Sequence, residues 1–233
     1  MELTNILSGT FMYDVVRGPL VWVSFIIFIL GTIFQVYRLL SLTRVETPVK
    51  LNSGPGTFLP KPAKGPTTDL AMKAKLSIFG VNPFMIIVTT LFHVLLILVP
   101  VFVLGHNILL DNAFGLSLFS LPEKTADFLT QIVIVCALIF LYRRIFSDRV
   151  KAITDWQDYL FLLLAAGPFI TGYLAFHQTF PDHYRLVVTL HMLFGELMLM
   201  AIPFTKFIHM FYLVIMRKTI KSEYSLGRGD RVW

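Results

Sequence analysis

Apolar positions gather along this chain into five long runs separated by polar stretches. Their approximate limits are Pro19–Leu40, Pro83–Leu104, Phe128–Tyr142, Tyr159–Phe176 and Leu186–Met216. A helix of about 20 apolar residues crosses a hydrocarbon core about 30 Å thick. Inside lipid every backbone N–H and C=O must find its partner within the protein, which favours helix for each run. The pattern therefore predicts an all-α integral membrane protein, one domain over residues 1–233, with five transmembrane helices in a bundle. The third run is short and is expected to extend by a turn at its ends. The fifth is longer than a bilayer requires and is expected to tilt or to project into water.

The polar stretches add organisation. Residues 41–82 are rich in Pro, Gly and Lys, including Ser53-Gly54-Pro55-Gly56 and Pro60-Lys61-Pro62. So broken a stretch reads as a loop. It is either plain solvated loop or a docking surface for a soluble partner. Met1–Gly18 has no basic region and no small-residue cleavage site before the first run, and it reads as a retained tail.

Composition agrees with the pattern: 56% of the 233 residues are hydrophobic, 22 are Phe, and 15% are charged, which is too apolar for a soluble domain. The formal charge of +6 does not imply nucleic acid, because the basic residues follow topology. Arg38, Arg44, Lys50, Lys61, Lys64, Lys73 and Lys75 fall in or beside the first connection. Arg143, Arg144, Arg149 and Lys151 fall in the third. Lys206, Arg217, Lys218, Lys221, Arg228 and Arg231 fall at the C-terminal end. Only Arg17, Lys124 and Arg185 fall on the other side. The bias predicts an N-terminus outside and a C-terminus in the cytoplasm, which in a bacterium would be the topology of a cytoplasmic (inner) membrane protein. Trp22, Trp156, Tyr159 and Tyr184 lie where an aromatic belt would.

The single cysteine, Cys136, excludes an internal disulfide, and no Cys-x-x-Cys-His occurs for covalent haem. Thiolate-held iron–sulfur clusters are excluded as well. Candidate chemistry rests on histidine. His93, His191 and His209 lie inside predicted spans, where an ionisable side chain is costly and marks function by default. In an unbroken helix, residues 191 and 209 would leave one face, about five turns and about 27 Å apart. That spacing would set one imidazole near each side of a membrane. Neutral imidazole is an axial ligand for haem iron, and two per iron leave no open position, which suits electron transfer. Topology groups His93 with His209 in the cytoplasmic half and His106 with His191 in the outer half. The plainer reading is that each histidine bonds a neighbouring helix.

Several stretches resemble the membrane cytochrome b (gamma) subunit of respiratory nitrate reductase and the related subunits of sulfate-reducer transmembrane redox complexes. They are Phe92-His93-Val94, Gly105-His106, Arg143-Arg144-x-Phe146-Ser147-x-Arg149-Val150, Leu190-His191 with Gly195, and Pro203-Phe204-Thr205-Lys206-Phe207-Ile208-His209. The resemblance covers roughly residues 84 to 213. It implies five spans, two non-covalent bis-His haem b groups and quinol chemistry at the outer haem. It carries His93 and His209 over as inner-haem ligands and His106 and His191 as outer-haem ligands. The chain departs from the nitrate reductase pattern in four places. The His93-to-His106 spacing is wider, which brings in His177 and His183 as alternatives to His106. Lys124 follows a Leu-Pro pair near the family's quinone-site lysine, at a different offset. Glu196 stands in the fifth span, about 140° around the helix from His191, and reads either as a proton relay or as a plain hydrogen-bonding group of the bundle. The long first loop is the fourth departure, and it points toward the sulfate-reducer relatives. Arg38, Arg143 and Arg144 are candidates for haem propionates by charge-assisted hydrogen bonds, and Gly195 for close approach of a porphyrin.

The function expected from the sequence is electron transfer across the membrane between a (mena)quinone pool and partner redox subunits, in a quinone-linked complex of anaerobic respiration. Expected partners are a cytoplasmic iron–sulfur subunit and a periplasmic multihaem cytochrome c. A quinone would bind near His106 and Lys124. The alternatives are a haem wire between those partners without a quinone site, and a non-redox anchor or transporter whose histidines are structural or bind zinc.

Overall fold

The computed structural model describes residues 10–42, 82–213 and 215. The loop expected over 41–82 falls almost entirely outside them, as does the basic C-terminal tail. Among the described residues there is no strand. Five helices are long and apolar enough to cross a membrane: Thr10–Leu42, Pro83–Phe102, Glu123–Phe146, Trp156–Phe176 and Pro181–Phe204. The protein is a multi-pass membrane protein of helical class. We name the helices α1 (Thr10–Leu42), α2 (Pro83–Phe102), α3 (Leu104–Phe114), α4 (Glu123–Phe146), α5 (Asp148–Lys151), α6 (Trp156–Phe176) and α7 (Tyr184–Ala201).

Two compact units are formed. One takes α1 and the chain from Ile170 onward, and the other takes the chain from Thr47 to Phe169. In the second unit α2 starts at Asn82, whose side chain accepts from the Met85 N–H, with Pro83 in the first turn where a missing N–H costs nothing. Its buried residues Met85, Val88, Phe92, Leu95 and Val99 recur at three- and four-residue steps, a single stripe along the helix. That stripe packs against α4, which offers Ala126, Val133, Cys136 and Ala137, small side chains that let two helices approach. Phe92 and Phe140 lock the pair edge to face, with centroids 5.1 Å apart at 85°. Cys136 is thus a packing residue of this seam.

Pro100 lies inside α2. The helix runs through it, stops at Phe102, turns extended at Val103 and restarts as α3. His106 therefore lies on a separate short helix. Gly115 closes α3 in the left-handed conformation, at φ 65°, which a glycine adopts without strain. The chain then returns to the α2 end. The Leu121 N–H donates to the Phe102 carbonyl, and the Asn107 amide donates to the Phe119 carbonyl and the Ser120 hydroxyl. Exposed Ile87, Leu91, Val94, Ile97, Val135 and Leu138 cover the outward faces of α2 and α4, as a lipid solvent demands.

In the first unit α1 widens into a π turn over Val16–Leu20, where Pro19 supplies no N–H and crowds the turn before it. α1 and α7 run parallel. Arg17 and Arg185 both lie over the Tyr13 ring at one end, and Gly31 faces Pro203 at the other. A Cβ at Gly31 would stand 2.8 Å from the Pro203 ring, so glycine is what admits that contact.

The fifth span is not one helix from Leu186 to Met216. α7 ends at Ala201, a 3-10 turn covers Ile202–Phe204, Thr205 is extended, and a second 3-10 turn covers Lys206–Ile208. Pro203 lacks the N–H to continue the ladder, the Gln35 amide donates to its carbonyl at 2.9 Å, and the Thr205 hydroxyl accepts from the Phe207 N–H. These bonds hold the break in place. The common face expected for His191 and His209 required an unbroken helix, and the chain does not provide one.

Candidate functional site

Each expected haem pair draws one histidine from each compact unit: His93 and His106 belong to one, His191 and His209 to the other. Within its own surroundings each imidazole is well defined. The His93 Nδ1 lies 2.7 Å from the Thr89 carbonyl, and its exposed ring stands edge-on to Phe92, 5.8 Å between centroids. The His106 Nδ1 lies 2.8 Å from the Pro100 carbonyl, which the break at Val103 has released from the helix ladder. The His209 Nδ1 lies 2.6 Å from the Lys206 carbonyl, just past the second 3-10 turn. A carbonyl only accepts, so in all three rings Nδ1 carries the proton. In the neutral ring the lone pair then belongs to Nε2. Metal-bound histidines are commonly fixed this way, with the non-ligating N–H held by a carbonyl. The same bonds also serve three helix-end or in-turn carbonyls.

His191 is held differently. Its ring lies against the backbone of α6 at Gly172, where a Cβ would stand 2.9 Å from Cε1 and 3.1 Å from Nδ1. The Thr171 hydroxyl is 3.4 Å from the same Nδ1, a long hydrogen bond. One turn along the same face of α7, Gly195 has nothing within 4 Å of where its Cβ would be. Open space beside an oriented imidazole is what a flat macrocycle would require. This chain's donor set, four imidazoles and a single cysteine, fits non-covalent bis-His haem. Among the described residues no group of three or more His, Cys, Asp or Glu gathers as a metal-ion site, whereas bis-His haem asks for only two.

The other candidates are distributed as follows. Lys124 is exposed in the first turn of α4, in the stretch that Leu121 and Ser120 fasten to the α2–α3 junction carrying His106. Arg143 and Arg144 are half-buried in the last turn of α4, where cations favour the helix dipole. With Phe140 and Val150 they line a cleft of about 100 Å³, and the Arg144 Nε is buried there with no partner among the described residues. That volume is well below the ~300 Å³ of a small-molecule pocket. Arg38 is exposed near the end of α1, four residues before Leu42. His177 is exposed, its ring 4.3 Å from the Tyr173 ring and tilted 51° to it, and His183 is exposed in a 3-10 turn.

Sequence reasoning missed Thr171 and Gly172. A Thr-Gly pair inside an apolar run carries no signal until the helix opposite is known. It also left Glu196 between a proton relay and a plain hydrogen bond; the residue is 4% exposed, with both carboxyl oxygens lacking a partner among the described residues.

No family model matches the chain, and no solved structure matches it. The chain is similar to a protein of the sulfate reducer Nitratidesulfovibrio vulgaris (strain Hildenborough), 32% identical over 228 residues, with 94% of this chain and 96% of the relative covered. The relative's name, "Protein", states no activity. At that identity and coverage, the chain belongs to the same family as its Nitratidesulfovibrio vulgaris relative.

Proposed function

We propose that this chain is the haem b-containing membrane subunit of a respiratory redox complex, moving electrons between the (mena)quinone pool and partner redox subunits. The observation that carries the reading is the treatment of the histidines: His93, His106 and His209 each commit Nδ1 to a backbone carbonyl, which assigns the lone pair to Nε2. His93 and His209 would hold the inner haem, and His106 and His191 the outer one. When bound, the two haems supply one-electron carriage across the apolar layer. The protein's part is to fix ring orientation, through Thr171 and Gly172 at His191, and to keep water from the relay with apolar α2 and α7. Lys124, on the stretch fastened to the α2–α3 junction, supplies a cation and a hydrogen-bond donor for a quinone oxygen at the outer side. Arg143, Arg144 and Arg38 offer charge-assisted donors to propionates. The sulfate-reducer origin of the relative agrees with the residue pattern noted for the transmembrane redox complexes of such organisms. A cytoplasmic iron–sulfur subunit and a periplasmic multihaem cytochrome c are the partners this reading needs.

The test is electron transfer across a vesicle membrane. The native complex is reconstituted with an impermeant acceptor on one side, and a menaquinol analogue is added. Acceptor reduction that is lost in Lys124→Ala but restored by a direct reductant places the quinone site there. Reduction by a cytochrome c donor alone, with none from the quinol, would replace the quinone-linked reading by the haem wire. No transfer from either donor would leave the membrane anchor.

A further inference from the structure

Within the first unit, the α1–α7 pair contains a line of buried polar groups that haem ligation does not use. Tyr13 meets Arg185 and Gly31 meets Pro203, pairs set eighteen residues apart on both helices. The same offset sets Ser24 level with Glu196. Ser24 is fully buried, and so is Thr189, seven residues before Glu196 on the same face of α7. Glu196 is 4% exposed, with Oε1 and Oε2 both without a hydrogen-bond partner among the described residues. Two turns farther along α1, the Thr32 hydroxyl is likewise buried without a partner. Gln35 follows, bonded to the Pro203 carbonyl and approached by the Tyr212 hydroxyl at 3.4 Å. Polar groups thus run from mid-span to the Pro203 end of the pair.

Buried polar atoms left unpaired by protein are usually satisfied by water, and a lone carboxylate in hydrocarbon is costly enough that the neutral acid is the form held without a counter-charge. Among the described residues nothing cationic is bonded to Glu196. We propose that Glu196 is a proton-exchanging site, a neutral carboxylic acid at mid-span that passes its proton to and from water in a polar seam formed with Ser24, Thr32, Gln35 and Tyr212. The step is a reversible transfer: the carboxyl O–H breaks, the proton passes to a seam water, and the carboxylate regains one from the same chain of groups. The proposal does not depend on the haems. It would hold in a colourless chain, so its failure and that of the redox reading can be told apart.

The experiment is infrared spectroscopy of the full chain in lipid, in H₂O and after transfer to D₂O, on wild type, Glu196→Gln and Thr32→Val. The expected result is a protonated-carboxyl stretch that Glu196→Gln removes, that moves within minutes in D₂O, and that moves several-fold more slowly in Thr32→Val. Three results would overturn the proposal: no such band, a band that does not exchange over a day, or a band that sodium ions abolish, which would make the carboxylate a cation ligand. Should Glu196→Gln fail to fold, carbodiimide labelling of wild type replaces it, because the reagent modifies protonated acids in apolar surroundings. A mass-mapped adduct on Glu196 supports the site, and its absence from a labelled chain overturns it.

Discussion

Replacing Gly172 by alanine adds one methyl group to α6 at the place where His191 rests. The new carbon would stand 2.9 Å from Cε1 and 3.1 Å from Nδ1. Carbon atoms in ordinary contact lie about 3.5–4.0 Å apart, so the imidazole must retreat by roughly 0.6–1 Å. Overpacking of this kind costs about 1–3 kcal/mol. The retreat also opens the Thr171–Nδ1 contact, already 3.4 Å, beyond hydrogen-bonding range. Two readouts follow. A denaturant titration in detergent should show the loss of ~1–3 kcal/mol. Under the redox reading, the visible spectrum should lose or shift the haem assigned to His191, leaving the other unchanged. Gly105→Ala is the control, because nothing lies within 4 Å of its Cβ position. A Gly172→Ala protein with wild-type stability and an unaltered spectrum would refute the reasoning, because the ring could not then lie where the structure puts it.

Further predictions rest on other contacts. Gly195→Ala meets no protein atom and trades glycine for a better helix former, so the haem-free chain should gain up to about 1 kcal/mol; if a macrocycle sits beside His191, the same variant should lower haem content in a pyridine haemochrome assay. Gly31→Ala drives a methyl to 2.8 Å from the rigid Pro203 ring and should destabilise the α1–α7 pair by about 1–3 kcal/mol, read by denaturant titration. Asn107→Ala removes both donors' bonds to Phe119 and Ser120 and should cost ~1–3 kcal/mol, raising proteolytic cleavage between α3 and α4.

Much of the architecture was legible in the apolar runs, because a helix in lipid leaves a long, simple signature. The runs beginning at Pro83 and ending at Phe176 marked helix termini to the residue, and the short third run grew a turn at each end as its length required. What the sequence did not reveal came from backbone breaks. Pro100 and Pro203 were visible, but whether a proline kinks a span or ends it depends on who satisfies the freed carbonyl. At Pro203 the Ile202 N–H donates to the Leu199 carbonyl, and Gln35, far away in the chain, donates to the proline's own carbonyl. The turn after α6 passes through Gln178 at φ 46°, with no glycine to announce it. The four histidines were legible as chemistry by their cost in lipid. Their orientation was not: at His106 it is set by the Pro100 carbonyl that the break at Val103 releases, at His93 by the Thr89 carbonyl one turn back, and at His191 by contact with Thr171 and Gly172; the single face assumed for His191 and His209 failed because the chain leaves the α-helix at Ile202.

The central claim is that these imidazoles bind haem iron in pairs. The most direct measurement is a reduced-minus-oxidised visible spectrum with haem quantitation on the chain isolated from its native membrane, repeated for His→Ala at positions 93, 106, 191 and 209. Two b-type haems per chain are expected, with His93→Ala and His209→Ala losing one and His106→Ala and His191→Ala losing the other. A colourless native chain, or haem content indifferent to all four substitutions, would contradict the account.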